Sequence, residues 1–123
     1  MKRGWMIVLS VSCSISVGHA TAAEPVFGKE GLLVDARGMT LYTYDPDIAG
    51  SGRSSCNGPC AAVWPPLKVE PGDKPQSDFS IVTRDDGVRQ WAYKGKALYL
   101  WGRDTKPGDA TGVAVEKWKT VKR

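Results

Sequence analysis

Two stretches of the chain alternate side-chain character with the two-residue period of a β-strand. They are Leu41-Tyr42-Thr43-Tyr44 and Leu98-Tyr99-Leu100-Trp101. In each, Leu and its i+2 neighbour point one way, while Tyr42 and Tyr44, or Tyr99 and Trp101, point the other. Alternation by itself does not say which face is buried. The second stretch belongs to a pattern in which RQWAY and KALYLW flank Lys94-Gly95. That glycine can supply the positive backbone angle of a tight turn, so the pattern predicts a β-hairpin. LLVD and MTLYTY around Arg37-Gly38 predict another. Further strand signals lie at Phe79 to Thr83 and, more weakly, at Gly112 to Val121. Between the hairpins, Pro59 suits the first turn of a helix and Pro65-Pro66 would end it, which leaves a short helical turn near Pro59 to Trp64.

Sliding the chain against itself by 57 residues superposes Arg37 on Lys94, Gly38 on Gly95, Leu41 on Leu98, Tyr42 on Tyr99, Tyr44 on Trp101 and Asp47 on Asp104. The chain therefore holds two copies of one unit, at about 31–66 and 79–121. The expected fold is mainly β, two repeated β-hairpin units with pseudo-twofold character in a single domain over 24–123. Its core is expected to draw on Leu, Val and Trp64, Trp91, Trp101 and Trp118. The 14 glycines and 8 prolines in 123 residues argue against long helices. Asp47 and Asp104 follow their strands directly, where a carboxylate can accept backbone N–H bonds and fix a turn.

The first 23 residues read as a secretory signal peptide. Lys2 and Arg3 make a basic start, Trp5 to Val17 is mostly apolar but too short to span a bilayer, and cleavage fits after Ala22 or Ala23. Cleavage removes His19, the only histidine, and with it histidine triads and the usual zinc sites. It also removes Cys13 and leaves Cys56 and Cys60, an even pair that reads as a disulfide in an oxidising compartment. Without Lys2 and Arg3 the 17 basic residues become 15 against 13 acids, so the formal charge falls from +4 to +2. Most of the excess sits in the tail EKWKTVKR, a solvated terminus in an otherwise unstriped chain; no nucleic-acid partner is expected.

Yx(FWY)xxD occurs twice, as Tyr42-Tyr44-Asp47 and Tyr99-Trp101-Asp104. With CNGPCAAVWPPL between the copies, the chain resembles the secreted-repeat lipoproteins known for that motif. The resemblance runs from about Gly31 to Trp118. It implies an exported bacterial protein, periplasmic or secreted, in tandem-repeat form, and it assigns no reaction. The chain departs from the lipoprotein members at Cys13, which lies inside the apolar run with Ser10 where a branched aliphatic is wanted, so no membrane anchoring is expected unless Cys13 carries lipid.

Three groups could carry function. Cys56 and Cys60 could form a structural bond or a redox pair, although the spacing is one residue longer than the usual redox motif. Tyr42, Tyr44, Tyr99 and Trp101 could form an exposed platform for a sugar or a cation, or the core itself. Asp45, Asp47, Asp85, Asp86, Asp104 and Asp109 could offer oxygen ligands to calcium, but none matches the spaced calcium loop and each sits beside turn residues. No metal or cofactor is expected. The serines lack a histidine partner, and no phosphate-binding glycine loop is present, so catalysis is the minority expectation. The leading expectation is a small envelope module that binds a ligand or protein partner; the alternative is a thiol–disulfide or electron-transfer accessory using Cys56 and Cys60.

Overall fold

The computed structural model describes residues 24–123, together with Gly4; the expectations for the signal segment, Cys13 and His19 lie outside the described residues. Seven short strands and one short helix follow in order: β1 (Val26–Phe27), β2 (Leu33–Val34), β3 (Tyr42–Tyr44), α1 (Pro59–Val63), β4 (Phe79–Thr83), β5 (Arg89–Tyr93), β6 (Lys96–Ala97) and β7 (Trp118–Thr120). The fold is mainly β, built from small antiparallel sheets: β1 with β2, β3 with β7, and β4-β5-β6.

Both predicted hairpins form. In the second, Lys94 and Gly95 turn with φ of 48° and 81°, the paired positive angles of the turn that matches strand twist. Glycine is required at 95 for a second reason, since a Cβ there would lie 2.5 Å from the Gly50 nitrogen. In the first, Val34 bridges Thr40 across a turn held by the Asp35 carboxylate, whose Oδ1 accepts the Arg37 and Met39 N–H groups at 2.9 Å each.

The two copies interlock. β3 of the first copy pairs with β7 of the second, with Tyr42 opposite Thr120 and Tyr44 opposite Trp118. Reciprocally, the segment after α1 lies along the second hairpin: Leu67 N–H donates to the Leu98 carbonyl, Leu100 N–H to Pro65, and Gly102 N–H to Val63. Each copy thus lends its last strand to the other. At the centre Tyr42 and Tyr99 exchange both backbone bonds, each 2.9 Å, which marks the pseudo-twofold axis.

The motif strands are buried on both faces. Leu41 and Leu98 join Leu33 and Trp91 in one cluster; Tyr42 and Tyr99 join Trp64 and Trp118 in the other. Three of the four expected core tryptophans are buried, and Trp101 is half-buried. Two local readings differ. β1 carries too short a pattern to register as a strand. Of the weak strand at Gly112 to Val121 only β7 is extended, and Thr111–Ala114 forms a 3-10 turn. That turn brings Gly112 against Tyr42 and Trp64, where a Cβ would come within 2.8 Å of each ring.

Candidate functional site

The two motif copies meet across the axis and complete one another. The Tyr42 hydroxyl donates to Oδ2 of Asp104 at 2.6 Å, and the Tyr99 hydroxyl donates to Oδ2 of Asp47 at 2.6 Å. Each tyrosine is answered by the aspartate of the other copy. The second carboxylate oxygen fixes the local turn as expected: Oδ1 of Asp47 accepts the Ser55 N–H at 2.6 Å, and Oδ1 of Asp104 accepts the Thr111 N–H at 3.0 Å and its hydroxyl at 2.6 Å. Both tyrosines have no exposed surface, and both aspartates are buried. Burial first, and then the carboxylate partner, pushes each phenol well above the ordinary tyrosine range; the Gly112 N–H opposes this at Tyr42, and Ser54 opposes it at Tyr99.

The aromatics two residues on close a stack. Tyr44 lies on Trp118 with centroids 4.4 Å apart, Trp118 on Trp64 at 3.7 Å and 4°, and Trp64 on Trp101 at 4.0 Å. Tyr42 meets Trp64 edge-on at 5.3 Å, and Tyr99 meets Trp118 edge-on at 5.0 Å. The four-ring ladder is therefore itself pseudo-symmetric: Trp64 and Trp118 correspond, Tyr44 and Trp101 cap its ends, and both caps are half-buried. The six motif residues all belong to one construction.

Sequence reasoning missed its polar extension. Arg84, with no exposed side-chain surface, donates from Nη1 to Ser54 Oγ and Gln90 Oε1, each 2.9 Å, and from Nη2 to the Cys56 carbonyl at 2.7 Å. Ser54 is in turn hydrogen-bonded to the Tyr99 hydroxyl. A buried cation thus reaches the buried Asp47 through Ser54 and Tyr99, and Gln90 closes the network by donating to the Leu98 carbonyl at 2.7 Å. On the Tyr42 side the hydroxyl accepts the Gly112 N–H at 3.2 Å instead of joining a buried cation. No signal in the stretch RDDG marks its arginine as internal.

Cys56 and Cys60 form a disulfide, with Cα atoms 5.2 Å apart. Cys56 is fully buried, whereas Cys60, near the start of α1, is half-buried against the aromatic cluster. The remaining acids serve turns and pairs. Val88 N–H donates to Asp86, and Thr105 and Lys106 N–H groups donate to Asp109; these backbone bonds hold both carboxyls below the usual carboxylate range. Asp45 pairs with Lys119 at 3.4 Å. Among the described residues no group of three or more His, Cys, Asp or Glu is placed to hold a metal ion, and no helix is long and apolar enough to cross a membrane.

On the surface, two clefts of about 300 and 370 Å³ adjoin beside the ladder's Trp101 end. They share Arg37 and Leu100; Met39, Pro65 and Trp101 line one, and Leu67 and Trp91 the other. The Arg37 side chain is 73% exposed and is steadied by Asp35 of its own turn at 3.3 Å.

Neither the curated proteins nor the solved structures contain a match to this chain. The family model described as a secreted repeat of unknown function matches twice, over residues 27–68 and 80–122. Each match ends four residues beyond a ladder tryptophan, Trp64 or Trp118, and the pair splits the chain where the interlocked copies divide. With most of its length covered by the two repeats, the chain belongs to that family of secreted repeats.

Proposed function

We propose that the protein is a small binding module of the bacterial cell envelope, periplasmic or secreted, which recognises an acid-bearing ligand or partner at the double cleft around Arg37. The observation that carries this reading is that trough, whose two halves share a solvent-exposed guanidinium and the apolar edge of Leu100. Its volumes sit at the lower end of small-ligand sites, and guanidinium is suited to planar carboxylate or phosphate groups. The motif itself builds the body behind the trough, because its hydroxyls and carboxylates are engaged with one another.

The test is a titration of labelled protein, followed by NMR, with soluble peptidoglycan fragments, anionic polysaccharide oligomers and acidic peptides. A true ligand should move the signals of Met39, Leu100 and Trp101 together. Arg37→Ala should weaken that ligand by about fivefold or more, the worth of one good charged contact, with the melting temperature unchanged. Shifts that fall elsewhere on the molecule, or an Arg37→Ala variant that binds equally well, count against the trough.

The second reading is an electron-transfer or thiol–disulfide accessory. It draws support from the four-ring ladder with half-buried ends and from Cys60 packed against it. Reduction potential decides the thiol arm: structural disulfides lie below about −300 mV, and a value well above that is needed for exchange. Burial of Cys56 leads us to expect the low value.

A further inference from the structure

We infer that the surface each copy presents to the other is a pairing surface for a second molecule of this chain, so that two chains can exchange halves. Every contact that defines the closed unit runs between copies. The Tyr42–Asp104 and Tyr99–Asp47 hydrogen bonds do so, as do the β3–β7 ladder and the bonds of Pro65 and Leu67 with the second hairpin. The Trp64–Trp118 contact at the middle of the ladder does so too. Copy 1 of one molecule and copy 2 of another can make all of these contacts unchanged.

Covalent structure permits the exchange. Cys56 and Cys60 both lie in copy 1, so their bond stays within one half. The halves are joined only by the segment from Glu70 to Asp78, nearly all of it exposed and rich in Pro and Gly; its bonds are the local turns Glu70–Asp73 and Gln76–Phe79, and the Asp78 carbonyl accepts the Lys94 N–H within copy 2. A flexible linker of that length holds the halves at roughly millimolar effective concentration, so the single chain closes on itself when dilute.

Linker reach is the control. Val69 N–H donates to the Arg89 carbonyl on one flank of β5, while Phe79 pairs with Tyr93 on the other flank. Four residues along β5 and two strand spacings across separate these points by about 16 Å. Removing residues 71–76 leaves four Cα steps, which reach about 13–14 Å at full extension and would also have to pass around β5. Closure within one chain is then blocked, whereas closure between two chains is not.

The experiment compares the full chain with this deletion variant by light scattering and native mass spectrometry. The deletion variant is expected to double in mass and keep the near-ultraviolet signal of its stacked tryptophans. A folded monomer of the variant overturns the inference. If the variant fails to fold, the full chain decides the matter: equal amounts of light and nitrogen-15 protein are denatured together and refolded at about 1 mM. A mixed dimer that forms on joint refolding, and does not form when folded light and heavy monomers are mixed at the same concentration, supports half exchange. Monomer alone, or a mixed dimer that forms equally well from the folded chains, overturns it.

Discussion

Replacement of Asp47 by alanine is expected to lower stability by about 2–4 kcal/mol, because one buried and one part-buried donor lose their acceptor together and a fully buried loss costs roughly 1–3 kcal/mol. The donors are the Tyr99 hydroxyl and the Ser55 N–H, both 2.6 Å from the carboxylate. Ser54 and the buried Arg84, whose direct acid partner is Asp86 at 3.4 Å, lie next in the same network. Tyr99→Phe removes one donor and should cost less, roughly 1.5–3 kcal/mol as for a hydrogen bond to a charged group. Urea melts of the two single variants and the double variant measure the coupling. It should be larger for Tyr99 with Asp47 than for Tyr99 with Asp104, although Asp104 belongs to the same motif copy as Tyr99. Equal couplings would refute the exchange of partners between copies.

The same pair governs alkaline behaviour. In the unfolded chain a tyrosine loses its proton near pH 10; in the folded protein the Tyr42 and Tyr99 phenols hold theirs to higher pH. Between those points the native state binds more protons than the unfolded state, so stability falls as pH rises. Their contribution is complete below about pH 10 and is lost above it. Melts from pH 8 to 12 should show this decline in the wild type and a shallower one in Tyr99→Phe.

Much of this architecture is legible in the sequence, and the limits have physical causes. Strand parity separates Leu41 and Leu98 from Tyr42 and Tyr99, as the two clusters confirm. Parity cannot reveal that both faces are covered, because the cover on each side comes from residues distant in sequence and drawn from both copies. The 57-residue repeat exposes the pseudo-twofold, yet a repeat is equally compatible with two hairpins side by side. Nothing in Yx(FWY)xxD says that its tyrosine and aspartate serve different partners. The correspondence of Trp64 and Trp118 is hidden because they stand 54 residues apart: the connection from Asp47 to Trp64 is three residues longer than that from Asp104 to Trp118, and it holds the disulfide and α1. Arg84 is the hardest case, since an arginine beside two aspartates and a glycine has the composition of an exposed turn.

Truncation of Trp64 is expected to have the other large effect, about 3–5 kcal/mol for Trp64→Ala and toward the upper end of that range. The ring is buried and has neighbours on both faces, Trp118 at 3.7 Å and Trp101 at 4.0 Å, with Tyr42 edge-on. Gly112 packs against its edge as well, so collapse of backbone into the void would have to displace the turn that gives Asp104 its Thr111 partner. At about 4–8 °C per kcal/mol for a chain of this size, such a loss brings most small proteins to the edge of unfolding. Trp101→Ala, at a half-buried end of the ladder with one stacked neighbour, should cost clearly less. Calorimetry of the two variants ranks them. If Trp101→Ala proved as damaging as Trp64→Ala, the ladder would have to be supported from its ends; if Trp64→Ala cost under about 1 kcal/mol, the stack would not be what joins the copies. The expected order, a central ring that holds the halves together and a terminal ring with exposure to spare, leaves Trp101 as the aromatic of the motif that can serve the trough at modest cost to the fold.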